Sequence, residues 1–166
     1  MNDKEMPSGK EGFTLGLALL DAVPVLAFGA DMLLLSRPLD SKLFLTGAAL
    51  ALCGGLCMVI YKLILSIKGK EYPVFMKLFP VLMGSGWVIM IAGAIIKRRS
   101  ISFPAIWTAV SSMPAALFFI LGAVFFASFI IYWKTGFDGS ARSNWIEEIL
   151  NACAQVCFLT AVLLSV

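Results

Sequence analysis

Residues 13–35, FTLGLALLDAVPVLAFGADMLLL, form an apolar run of bilayer-crossing length that nevertheless carries Asp21, Pro24 and Asp31. A helix rises about 1.5 Å per residue and needs roughly 20 residues to cross the hydrocarbon core. The run therefore predicts a membrane helix. A carboxylate inside such a helix is expensive to desolvate, so it faces other protein or enclosed water and by default marks a functional position. The rest of the chain has to supply those two acids with neighbours.

Composition places the whole chain in the same environment. Of 166 residues 60% are hydrophobic and 14% charged, against an apolar share of about 45–50% in soluble domains. We read an all-α integral membrane bundle forming a single transmembrane domain over 1–166, with no room for a separate soluble domain of ordinary size. The net charge of +3 is spread over short loops, where basic residues set orientation in the membrane rather than bind nucleic acid. The chain has no histidine. That removes the usual haem ligand, the paired-histidine zinc site and the commonest acid–base group, and no metal or other cofactor is expected. The opening MNDKEMPSGKEG has balanced charges, unlike the basic start of a secretory signal, so the first helix is expected to be retained.

Five segments reach spanning length, at about 13–35, 43–67, 73–96, 105–133 and 145–166. The last is expected to run to the end of the sequence. Short polar links containing Pro or Gly join them and predict antiparallel neighbours in sequence order. An odd number of crossings puts Lys4, Lys10, Lys62, Lys68, Lys70, Lys77, Lys134 and Arg142 on the side of the N-terminus, against Arg37, Lys42, Lys97, Arg98 and Arg99 on the other. The positive-inside bias then favours a cytoplasmic N-terminus in a cell membrane, although the cluster 97–99 pulls the other way. Tyr61, Tyr72, Tyr132, Trp133 and Trp145 fall at one interface and Trp107 at the opposite one, as aromatic belts do.

Packing surfaces are legible as small residues at helical spacing. Gly47, Ala51 and Gly55 make one stripe; the third helix adds Gly84, Gly86 and Gly93, and the fourth adds Ser112 with Ala116 and Ala123 with Ala127. Such stripes let backbones approach closely where lipid supplies no hydrophobic drive between helices. Pro24, Pro80 and Pro114 lie inside predicted helices and predict kinks. Cys53 with Cys57 and Cys153 with Cys157 are four apart, poor geometry for a disulfide, and are read as small packing residues. The pairing of Asp21-Ala-Val-Pro24 and Ser111-Ser-Met-Pro114, each followed by a CxxxC helix, hints at an inverted repeat.

Counting from the helix centres puts Asp21 about 4–5 Å from the midplane, Gln155 near it and Asn151 about 6 Å away, on the side of Asp21. Lys62, Glu147 and Glu148 come one step further out on that side. Glu147, Asn151 and Gln155 fall at i, i+4 and i+8, which predicts an inward polar stripe. These six residues form the candidate solute- or ion-binding set, lining a polar cavity that ends at Asp21. Asp21, Pro24, Phe28 and Asp31 share one face, and Asp31 is expected near the far interface with Arg37 and Lys42 as neighbours.

The function that fits is a small permease or transporter subunit in contact with lipid, as a homo-oligomer or beside a membrane partner subunit, with Asp21 binding a proton or cationic group. The alternative is a non-catalytic accessory or scaffold subunit of a membrane complex. An enzyme is disfavoured, because no nucleophile stands beside a base and both acids lie on one helix.

Overall fold

The computed structural model describes residues 14–98 and 102–165; Phe103 and Ala105 are described in backbone only. Six helices are present among them: α1 Leu15–Leu39, α2 Lys42–Lys68, α3 Pro73–Ile96, α4 Phe103–Ser111, α5 Ala115–Thr135 and α6 Ala141–Ser165. All but α4 are long and apolar enough to cross a membrane, and no strand occurs in the described chain. The expected start at Phe13, the N-terminal cations Lys4 and Lys10, Arg99 and the final residue lie outside the described residues.

Local chemistry explains the helix ends. Thr14 and Ser41 cap α1 and α2, their hydroxyls accepting from the Leu17 and Phe44 amides at 3.2 Å, which satisfies donors that have no intrahelical partner. Gly69 closes α2 in the left-handed region at φ 61°, donating its N–H to the Leu65 carbonyl, a conformation glycine adopts without steric cost. Before α6, Ser140 accepts from the Ser143 amide at 3.1 Å, while its own amide donates to Asp138 at 2.9 Å. The Ser140 hydroxyl and amide together hold the exposed Asp138 carboxyl below its ordinary range.

The fourth predicted span is two helices rather than one. Ser111 and Ser112 turn their hydroxyls back onto the carbonyls of Trp107 and Ala109, at 2.6 and 2.7 Å, competing with the backbone ladder. Pro114 removes the next donor and restricts the residue before it. Ser112 becomes extended at φ −67°, ψ 137°, and the Met113–Pro114 bond is cis. Helix continues through Pro24 and Pro80, so the two proline motifs of the suggested repeat have different backbones.

In space the long helices follow the order α3, α2, α1, α6, α5. The expectation that sequential spans neighbour one another fails between the third and fourth, because α4 leads the chain to α5 and α6 instead of back along α3. The result is an arc. Its ends, α3 and α5, share no extensive packing among the described residues.

The tightest seam is α2 against α3. A Cβ on Gly86 would stand 2.5 Å from the Ala51 amide and 2.7 Å from the Gly47 carbonyl, so the seam requires hydrogen there. Gly54 also belongs to this seam, whereas Gly55 turns to Val25 of α1. Gly84 faces open space, and Ala123 and Ala127 are exposed; on α5 the packed small residue is Gly122, against Phe158. Tyr61 is buried in the bundle, not placed in an outer belt. The four cysteines are free.

Candidate functional site

One face of α1 is buried at Leu17, Ala18, Asp21, Pro24, Ala27 and Asp31, and from Ala18 onward the steps of three and four keep a single side of the helix inward. Both acids lie on it, as the spacing predicts. Their surroundings differ completely.

Asp21 sits where α1, α2 and α6 meet. Lys62 of α2 places its Nζ 3.1 Å from Asp21 Oδ2 and donates a short hydrogen bond to Glu148 Oε1 of α6. The side chains of all three are nearly enclosed, at 10%, 13% and 7% exposure for Asp21, Lys62 and Glu148. Asp21 Oδ2 lies within ion-pair range of the ammonium but off its hydrogen-bonding direction. Two carboxylates therefore share one ammonium, and one further proton or cation would make the cluster formally neutral.

Asn151 and Gln155 do not join this cluster. Nor does the inward stripe of α6 begin at Glu147: the buried line is Asn144, Glu148 and Ala152, one residue further along. A residue step rotates a helix by about 100°, and the small Ala152 lets that line press against its neighbour. Glu147 is left half-buried, outside ion-pair distance of Lys62 among the described residues.

The cavity expected to end at Asp21 lies instead beyond Pro24, within the arc. It measures about 730 Å³, within the range of about 300–1,000 Å³ usual for ligand pockets. Phe28 and Asp31 of α1 line it together with Asn151 and Gln155 of the neighbouring α6. Trp87 on α3, Phe119 and Phe126 on α5 and Phe158 on α6 supply aromatic parts of the remaining wall. Phe28 and Trp87 touch, with ring centroids 5.8 Å apart, joining α1 to α3 across the inside of the arc.

Asp31 is the acid that sequence reasoning misplaced. Helix α1 runs to Leu39, so its midpoint is near Ala27 and Asp31 lies only about 6 Å beyond it. The carboxylate is 4% exposed, its Oδ1 is fully enclosed without a hydrogen-bond partner, and neither Arg37 nor Lys42, both exposed, reaches it. The shared face of Asp21, Pro24, Phe28 and Asp31 was the available signal. The aromatic lining had no such signal, since it converges only through the arc. Among the described residues no cluster of metal-ligating side chains occurs.

No protein-family model, curated protein or solved structure matches this chain.

Proposed function

We propose that the protein is a small permease of a cell membrane, with its N-terminus cytoplasmic, in which the arc of helices holds a solute between α1 and α6. The observation that carries this reading is the cavity of about 730 Å³ into which three polar side chains, Asp31, Asn151 and Gln155, project from otherwise apolar walls. Polar side chains at membrane depth are retained where they meet a solute, an ion or one another. The Asp21–Lys62–Glu148 cluster lies next along α1 and has the stoichiometry of a proton-accepting site: binding one proton to either carboxylate neutralises it. Solute in the cavity and proton in the cluster would then act on the same helix.

Uptake into proteoliposomes under an imposed pH gradient tests this, using a radiolabelled panel of amines, amino acids and sugars. Wild-type vesicles should accumulate at least one class above empty vesicles, and Asp21→Asn should abolish accumulation while remaining monodisperse in detergent. Unchanged uptake by Asp21→Asn would remove that residue from transport.

A second reading, an accessory subunit, draws on the gap between α3 and α5. A partner helix seated there would close the arc and cover the aromatic wall. Crosslinking from a photoreactive group at Trp87 in native membranes distinguishes the two, since only an accessory subunit would give a stoichiometric protein adduct.

A further inference from the structure

We propose that the cavity binds a lipophilic, aromatic-compatible organic cation, with Asp31 as its counter-charge, admitted sideways from the bilayer between α3 and α5. This rests on the permease reading for its purpose, but the binding site itself stands on separate observations. Asp31 is buried to 4% exposure, its Oδ1 has no partner, and it lines the cavity directly. A carboxylate left in that state in a low-dielectric interior lacks the positive partner that buried charges ordinarily have. No basic side chain of the described residues occupies that place.

The walls decide which cation fits. An inorganic cation replaces its water shell with several oxygens, whereas here one carboxylate and two amides face a lining of Phe, Trp, Met and aliphatic side chains. Such a lining offers ring faces, which attract organic cations electrostatically, and apolar surface for their hydrocarbon periphery. Phe28 and Trp87, in contact across the inside of the arc, line the same cavity as Asp31. Asn151 and Gln155 line the same cavity as neutral hydrogen-bonding groups that place no second positive charge in the site.

The route follows from the arc. Because α3 and α5 do not pack extensively on each other, the cavity is bounded at that side by residues such as Phe79 and Phe126 rather than by a helix seam. Amphipathic cations concentrate in the membrane, so an opening towards lipid reaches them where they are most abundant.

Equilibrium binding to the purified full chain in lipid nanodiscs tests this with two ions of one shape and opposite charge, tetraphenylphosphonium and tetraphenylborate. Tetraphenylphosphonium should bind saturably at one site per chain and tetraphenylborate should not. Asp31→Asn should weaken tetraphenylphosphonium binding by about thirtyfold or more, as loss of a buried charge partner does, and Asp31→Glu should retain most of it. Equal binding of both ions would mean simple apolar filling and would overturn the proposal, as would undiminished binding by a folded Asp31→Asn. Should Asp31→Asn fail to fold, the comparison of the two ions on the wild-type chain still decides. Binding of the cation without any flux in proteoliposomes would refute the permease reading while supporting this site.

Discussion

Asp21 and Asp31 are ten residues apart on one face of α1 and equally hidden, at 7% and 4% exposure, yet one is surrounded by charge and the other by hydrocarbon and rings. The first lies against the helices that close most firmly around α1, so α2 and α6 both reach it. The second lies on the inner side of the arc and lines the cavity there. Burial alone is therefore a poor guide to what an intramembrane acid does. What separates the two is whether folding itself delivers a partner.

Mutations at the two sites should therefore move stability in opposite directions. The largest effect is expected for Lys62→Met, which leaves Asp21 and Glu148 facing each other without the ammonium. Removing one partner of a buried pair costs about 3–5 kcal/mol, so the loss of helicity on heating in detergent should begin at a much lower temperature. An unchanged midpoint would mean the cluster contributes little to holding α1, α2 and α6 together.

Asp31→Met should do the reverse. It replaces an unpartnered carboxylate with an apolar side chain suited to the surrounding wall, and a gain of about 1–2 kcal/mol is expected, as is common where a site built for function is relieved of its cost. The same unfolding measurement checks it. A lower midpoint would show that Asp31 already has a partner in the folded protein, and the contrast with Asp21 would collapse.

The smallest effects sharpen the register of α6. Glu148→Gln leaves Lys62 paired with Asp21 and should cost about 1 kcal/mol, the net worth of a typical buried hydrogen bond. Glu147→Gln, one residue away and outside the cluster, should stay within about 0.5 kcal/mol of wild type. Reversal of that order would restore the stripe through Glu147 that simple four-residue spacing suggests.

Much of this is legible in the sequence. Apolar length located the five spans, the face shared by Asp21 and Asp31 followed from helical periodicity, and Lys62 with Glu148 could be matched to Asp21 by depth. Gly47 and Gly86 stood out as small packing residues, and the fold brings them together in the α2–α3 seam. Other features were not readable, each for a definite reason. The break at 112–114 required weighing two serines and a proline together, where each alone is tolerated in a membrane helix. The choice between Glu147 and Glu148 turns on a rotation of about 100°, finer than an i, i+4 pattern resolves when both positions hold the same residue.

By itself, then, the order of residues determined that this chain makes apolar helices of spanning length, that two acids share one side of the first, and that the second carries a face of small residues fit for close packing. Hydropathy, periodicity and side-chain volume are local quantities, and they are written along the chain. Only the tertiary structure decided which acid would be met by an ammonium and which would face an aromatic cavity. That outcome depends on the lateral order of the helices around α1, and the lateral order is settled by α4 carrying α5 to the far end of the arc, a non-local choice that no single segment encodes.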